Sequence, residues 1–507
     1  MPKIFAVAMN LHDHNTYDGV WHNQRERETR FKHNLPYHTE AYAHQSDILN
    51  PGDYRLNDKF VDDYFKKIDD GILAWTYTFG GIRKAKEELL NTILKGHEDI
   101  FNYDPKELWD YYYKDGIYYI DHHQSHATYA FTNSGFGQSD ILAIDGIGSK
   151  FRCVFFDKDQ KLIDLSDKLP IGWLWNHMSN LTGFGTLGAS KLMGKVGYGK
   201  YSPYYYNVFE IIFDGPITEK KQKHFSRIDL EQHGVNDLAF TLQKFTIDKI
   251  KEFVYPLKSC DNLCIAGGVA YNGYMNEEFT KHYKNVFVPP AVGDEGQAIG
   301  VYQHADYMIN YNVHKSETFA GKEYDYAGDE KLTSYKEVAQ AIADGKIVGW
   351  FQGKSESGNR ALGNRSILAD PRNPNIKDII NHTIKMREDF RPFAPAVLEE
   401  HYKEYFDTNS PSPYMSRICK VKPEMKSVIP GITHVDGTAR IQTVNKNDNS
   451  KFYEIIREFR EITGVPMLLN TSFNCQEPIV ETPQHALRTF KKTALDMLII
   501  NDWIIRK

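Results

Sequence analysis

Two histidines four residues apart, His122 and His126 in DHHQSHATYAF, are the side chains in this sequence best spaced to do chemistry together. If the apolar residues that follow (Ala127, Tyr129, Ala130, Phe131) continue a helix, both imidazoles project from one face, one turn apart. That spacing suits a single metal ion, and a divalent ion wants about four to six ligands, so carboxylates must come from elsewhere in the chain. Two candidates stand beside apolar runs: Asp145 after ILAI, and Asp294 in a Gly-Asp-Glu-Gly turn. The glutamate of an HExxH hydrolytic zinc site is missing, because His123, Gln124 and Ser125 lie between the two histidines.

A second group is cationic. Arg360, Arg365, Lys385, Arg387, Arg391 and Arg440 all lie in or beside apolar segments, where cations usually have anionic partners. For any one of them a structural salt bridge is the competing reading. Taken together, and with the polar NTSFN turn, they favour a polyphosphate or triphosphate pocket. Asn470 and Ser472 alternate along that turn, which places both polar groups on one side.

The elements that must carry these groups read as strands, glycine turns and helices. IFAVAM (Ile4 to Met9) is a buried strand ending in the polar cluster Asn10, His12, Asp13, His14, Asn15. RERETRFKHN alternates acids and bases, and Asp58 to Leu94 reads as helical. GIYYI is a short strand leading into the histidines. ILAIDGIGSKFRCVFFD then reads as strand, turn, strand, and its Asp-Gly-x-Gly turn, with Gly146 and Gly148, brings an acid and free backbone N–H groups to a phosphate or metal. Asn180 to Gly199 is glycine-rich and carries Lys191, Gly194 and Lys195; it is either a loop approached by a ligand or a mobile one. Asp237 to Val254 is an amphipathic helix. NLCIAGGVAYNGYMNEEF gives a strand, the Gly267-Gly268 turn and a helix start near Asn272, and VFVPPAVGDEGQAIG repeats the device.

Repeated strand-to-glycine-turn units with helices between them predict an α/β domain with ligands at the strand ends. The polar, aperiodic stretch from His314 is the expected linker, giving domains 1–313 and 336–507 joined by 314–335. The second domain runs from the helix SYKEVAQAIADG and the strand KIVGWFQG through ARIQTV and the helix KFYEIIREFREITG to PMLLNTSFN, the helix TPQHALRTFKKT and the strand MLIINDWII.

The net charge of -6 over 507 residues offers no basic field for a nucleic-acid backbone, so a bulk nucleic-acid binder is disfavoured. Five cysteines, an odd number without a CxxC pair, read as reduced thiols. The N-terminal apolar run is too short for a signal h-region, and no run of about 18 apolar residues occurs, so a cytoplasmic protein without a membrane partner is expected.

DHHQSHA, IDGIG, KLMG, AGGVAYN, GDEGQAIG, GNRALGNRSILADPR, FRPFAPAV, ARIQTV and LLNTSFN, in this order over nearly the whole chain, resemble the motifs of O-carbamoyltransferases of the nodulation-protein and antibiotic-tailoring type. The resemblance implies an N-terminal domain of the actin and sugar-kinase (ASKHA) type, a duplicated α/β fold akin to the transferase that makes threonylcarbamoyl-adenosine in tRNA, and a YrdC-like α/β C-terminal domain. It implies two steps. Carbamoyl phosphate and ATP, with Mg2+, give carbamoyladenylate in the second domain, and the first domain moves the carbamoyl group to a substrate hydroxyl.

The implied metal ligands are His122, His126, Asp145 and Asp294, with Fe2+ favoured and Mn2+ or Zn2+ fitting the donors, and His123 behind them. The implied adenylate-forming residues are Arg360, Lys385, Arg391, Arg440, Asn470 and Ser472. The nucleotide is expected along Gly146, Gly148, Lys191, Gly194, Gly267, Gly268 and Asn272. The family's first-strand histidine falls on His14 by register to Val20, or on His12 by its His12-Asp13 pair; it would act as base for the acceptor hydroxyl or orient the intermediate. The family's glutamate before Lys-Leu-Met-Gly is Ser190 here, which puts that position's role in doubt. The implied partner is a small-molecule hydroxyl acceptor, whether sugar, natural product or hydroxymethylated nucleotide, and a homodimer is expected from the resemblance alone. The rival readings are a sugar-kinase-like phosphotransferase, which leaves the second domain's cations unexplained, and a tRNA-modifying or nucleotide-binding factor.

Overall fold

The apolar runs read from the sequence become strands of three sheets in a computed structural model that describes residues 3–9, 14–20, 22–24, 27, 72–77, 112–114, 117–146, 151–185, 188–213 and 228–507. His12, Gly148, nearly all of the charge-alternating stretch 25–34 and the two helical patterns within 58–94 lie outside the described residues. Two compact units result: Met1–Trp173 with Leu257–Ala270 and Phe287–Gly321, and Leu174–Pro256 with Tyr271–Val286 and Lys322–Lys507. Both are α/β.

In the first unit, Ile4–Met9 forms a hairpin with His14–Tyr17 and runs parallel to Ile72–Tyr77, which in turn runs parallel to Ile117–Tyr119. The strand Ile72–Tyr77 corrects the sequence reading, which gave the whole of 58–94 to helix. ILAWTY is a short, mostly apolar run without strict two-residue alternation, and such a run cannot be told from a helix by its pattern alone. A second sheet sets Asp140–Ile144 parallel to Asn262–Ala266 and antiparallel to Cys153–Phe156.

The helices His122–Ser134 and Gln297–Asn310 belong to this unit. Ala127 and Ala130 of the first join Ile141, Ala143, Val154 and Cys264 in one core, while Val301 and Ala305 of the second pack on Ile4, Ala6 and Ala74. Small residues let the backbones come close. A Cβ on Gly300 would stand 2.0 Å from the carbonyl oxygen of Ser125, so the two helices can cross here only with glycine.

The second unit is built on a ten-stranded mixed sheet. At its centre Arg365–Ala369 pairs antiparallel with Met467–Ser472, which pairs antiparallel with Ala394–Leu398, and that strand runs parallel to Thr438–Val444. The helices Tyr335–Ala343, Ser450–Thr463 and Pro483–Lys492 bring Val338, Ile342, Phe452, Ile456, Phe459 and Phe490 to the core. The segment MLIINDWII, read from sequence as one strand, is a hairpin of Met497–Ile500 and Trp503–Arg506. Asn501 adopts φ 51, and Asn is one of the few side chains that tolerate that left-handed turn.

All five cysteines are free thiols. Among the described residues no helix is long and apolar enough to cross a membrane.

Candidate functional site

Asp121 caps the histidine helix. Its carboxylate accepts from the backbone N–H of His123 at 2.8 Å and of Gln124 at 3.3 Å, which fixes the first turn and with it the direction of His122. His126 follows one turn later. The two Nε2 atoms converge with two carboxylate oxygens. His122 Nε2 lies 3.6 Å from Asp145 Oδ2 and 3.5 Å from Asp294 Oδ1, and His126 Nε2 lies 3.3 Å from each. One donor atom from each of these four residues falls within 4.8 Å of all the others, which is the geometry of a group that could hold a metal ion.

The glycine turns grip the carboxylate. Gly146 N–H donates to Asp145 Oδ1 at 2.6 Å and Gly268 N–H to Oδ2 at 3.0 Å. At Gly267, φ is +95 and a Cβ would stand 2.3 Å from the carbonyl oxygen of Ile144, so this turn also requires glycine. Burial opposes the charge on Asp145, but the hydrogen bonds from His122 and His126 outweigh it and hold its pKa well below the usual carboxylate range. Burial likewise opposes the His126 imidazolium, and the Asp145 and Asp294 carboxylates override it, lifting the ring to about 9. Two imidazoles and two carboxylates are a borderline nitrogen and oxygen donor set that fits iron(II), manganese(II) or zinc.

His123 does not join them. It is buried, neither ring nitrogen has a hydrogen-bond partner among the described residues, and burial followed by the neighbouring His122 pushes its pKa down to about 4. His14 lies on the strand paired with Ile4–Met9, opposite Met9.

Two residues that sequence reasoning missed support the group. Asn15 donates from Nδ2 to the Asp294 carbonyl at 2.9 Å and accepts the Ala298 N–H at Oδ1, 3.1 Å away, so the first hairpin clasps the Asp294 turn. Gln297 sets its side-chain amide 2.9 Å from His126 Nε2. Its place three residues after Asp294, at the start of a helix, was the available signal.

The second unit gathers the cations. Arg360, Arg387 and Arg391 all bear on Arg440, which burial and then these three like charges push well below the usual arginine range. Burial and then Arg391 bring Arg387 down to about 9, partly offset by Glu388. Arg440 Nε is shielded from solvent and has no hydrogen-bond partner among the described residues. Lys385 ends a short π-helical turn, and its ammonium donates to the Ser472 carbonyl, to Ser472 Oγ at 3.1 Å and to Asn474 Oδ1 at 2.6 Å. The next residue, Met386, has φ 46, an uncommon conformation for a residue with a side chain and one that turns up at functional loops.

Arg365 departs from the expected pocket. Its buried guanidinium donates to the carbonyls of Gln352 at 2.7 Å, Asn364 and Gly353 at 3.0 Å each and Lys322 at 3.4 Å, and lies 3.6 Å over the Phe351 ring. It satisfies backbone acceptors that would otherwise be buried unpaired, which is a structural role. Lys191 and Gly194 sit beside the loop that carries Arg387 and Arg391. Lys191 Nζ is 3.2 Å from Glu388 Oε1, Lys195 lies 4.0 Å over the Phe390 ring, and a Cβ on Gly194 would stand 3.2 Å from the same ring. Asn272 caps the helix Gly273–Phe279 through Met275 N–H at 3.0 Å and donates to Gln243 at 2.8 Å.

Comparison with known proteins shows the family. The carbamoyltransferase N-terminus family matches residues 23–302 and the carbamoyltransferase C-terminus family matches residues 339–507. The chain belongs to the carbamoyltransferase family and is an enzyme of that class. It is 35% identical to nodulation protein NolNO of Sinorhizobium fredii over 77% of this chain and 64% of that one. It is 32% identical to nodulation protein NolO of Bradyrhizobium diazoefficiens over 76% and 79%. An uncharacterised Synechocystis protein is 30% identical over 96% of this chain and 92% of its own. Among solved structures, the activator of 2-hydroxyisocaproyl-CoA dehydratase from Clostridium difficile with bound ADPNP overlaps at TM-score 0.32, with 11% identity over 61% of this chain and 98% of that one. Full-length HypF in a phosphate- and nucleotide-bound form overlaps at 0.25, with 19% identity over 40% and 26%.

Proposed function

We propose that the chain is an ATP-dependent O-carbamoyltransferase that works in two steps, through carbamoyladenylate. The observation that carries this reading is the crowding of Arg360, Arg387 and Arg391 on Arg440, and of Arg391 on Arg387, like charges that lower the tendency of Arg440 and Arg387 to stay charged. Such a group is relieved when a multiply charged anion enters, and carbamoyl phosphate together with the triphosphate of ATP supplies one.

In the first step water displaces phosphate from the carbamoyl carbon, a carbamate oxygen bonds to the α-phosphorus of ATP, and pyrophosphate leaves. Arg360, Arg391 and Arg440 neutralise the phosphates, while Lys385 and Ser472, already hydrogen-bonded to each other, hold the carbamate in line. The residues 336–507 would then be the YrdC-like domain and the N-terminal part the ASKHA-type domain. In the second step the acceptor hydroxyl attacks the carbamoyl carbon and AMP departs. A divalent metal held by His122, His126, Asp145 and Asp294 would polarise the carbamoyl oxygen. The Gly146 and Gly268 amides fix Asp145, and a histidine near the start of the chain, His14 or His12, takes the hydroxyl proton. The acceptor is a small hydroxylated molecule.

The test is release of pyrophosphate from ATP without any acceptor. Pyrophosphate that appears only when carbamoyl phosphate is present supports the first step. Release without carbamoyl phosphate, or none from folded protein that binds ATP, refutes it.

A further inference from the structure

The strand Thr438–Val444 carries Gln442 two residues after Arg440, so both side chains stand on one face of the sheet. The register extends this face across two more strands. Gln442 pairs with Ala396, Ala396 with Leu468, and Ala394 with Asn470. Residues directly opposite in register share a face, so Asn470 and Gln442 stand on the same side, separated only by alanines. That floor of small residues lets the two amides meet over the intervening strand.

They meet in a buried chain of hydrogen bonds that has one direction. Gln442 Nε2 donates to the Leu362 carbonyl at 2.9 Å, and this fixes which end of its amide is oxygen. Gln442 Oε1 therefore accepts from Asn470 Nδ2 at 2.8 Å, and the same nitrogen donates to the Ala361 carbonyl at 3.0 Å. Both N–H groups of Asn470 are spent on the protein. Among the described residues its Oδ1 has no hydrogen-bond partner, and it is buried, in a residue only 1% exposed. A buried acceptor with its partner missing is a place for a ligand donor. On the same face, two residues along the strand, is Ser472, bound to Lys385.

We propose that Gln442 is a positioning residue that holds Asn470 Oδ1 toward the substrate, and that this oxygen selects the carbamoyl group by accepting its N–H. The inference rests on the reaction proposed above. Acetyl phosphate has nearly the shape of carbamoyl phosphate but presents a methyl in place of the NH2, and would leave Oδ1 buried and unpaired. A site built to pair with a substrate N–H rejects the analogue lacking it far more strongly than size alone permits.

The experiment compares carbamoyl phosphate with acetyl phosphate in ATP–pyrophosphate exchange, for the full chain and for Gln442→Leu. The wild-type protein is expected to prefer carbamoyl phosphate by at least about a hundredfold in kcat/KM. In Gln442→Leu the Asn470 amide is free to turn, and the preference should fall to about tenfold or less, mainly through a higher KM for carbamoyl phosphate, with acetyl phosphate unaffected or better used. A merely structural role for Gln442 would lower both substrates together and leave the ratio unchanged, and that result would overturn the inference. The thermal shift given by each acyl phosphate reads the same selectivity without turnover. Absence of exchange in the wild-type protein would refute the proposed reaction, while the ratio of the two shifts would still judge Gln442.

Discussion

Replacing Arg440 by methionine should make the ligand-free protein more stable and at the same time remove its response to carbamoyl phosphate. Two unit charges about 7 Å apart repel by about 2 kcal/mol at the effective dielectric constant of about 20 suited to protein sites. Arg440 has three like-charged neighbours, Arg360, Arg387 and Arg391, which with burial push its pKa down. Water reaches part of the group and screens it, which brings the recoverable repulsion to roughly 2 kcal/mol in total. Methionine retains most of the arginine stem, so little packing is lost. The assay is calorimetry in a buffer without phosphate, with and without carbamoyl phosphate or pyrophosphate. Wild-type protein should gain about 2.7 kcal/mol when the ligand stands at about a hundred times its Kd, and Arg440→Met should melt higher than wild type when empty but gain nothing. A variant that melts lower when empty and is still stabilised by pyrophosphate would refute the reasoning.

Arg365 predicts the opposite sign. Arg365→Met leaves several buried carbonyls without a donor and should lose at least about 3 kcal/mol, read as a lower denaturant midpoint. A second test concerns pH. Burial, opposed by Asp436 and aided by Arg440, keeps His434 down at about 4, whereas an unfolded histidine titrates near 6.5. The unfolded chain then binds the extra proton, so this stability is present above about pH 6.5 and is lost as pH falls toward 4. With partial screening, wild type should lose about 1 kcal/mol more than His434→Gln between pH 7 and 5, measured by urea unfolding at the two values. For the histidine group, Asp145→Asn and Asp294→Ala should each weaken zinc or manganese binding by at least about a hundredfold and Gln297→Leu by about tenfold, in titrations against a competing chelator. Unchanged affinity in either aspartate variant would remove that carboxylate from the ligand set.

The parts of the two sites that local chemistry dictates were legible in the sequence. His122 and His126 needed only the helical repeat, and Asp145 and Asp294 needed only an apolar run followed by a glycine turn. Gly146 and Gly268 were expected along a nucleotide, and their amides are seen to hold Asp145. What register and tertiary contact decide was not legible. Arg365 and Arg440 look alike in sequence, each in an apolar strand, yet one guanidinium ends on backbone carbonyls and the other among cations. Gln442 becomes meaningful only because Ala394 and Ala396 fall between it and Asn470, a fact of strand pairing across segments far apart in the chain. The strand Ile72–Tyr77 was hidden because a short apolar run without strict two-residue alternation reads as strand or helix alike.

The clasp of Asn15 on the Asp294 turn bears on how the protein is made. The two partners are separated by 279 positions, so as the chain emerges from the ribosome Asn15 has no Asp294 turn to clasp until that turn has followed it. His122, His126 and Asp145 are all synthesised well before Asp294, and until then they offer a metal ion an incomplete set of donors. Closing so long a loop is entropically unfavourable, and a bound ion is one of the few local interactions strong enough to offset it. A metal held by these four residues would therefore meet its full donor set only after Asp294 has been made.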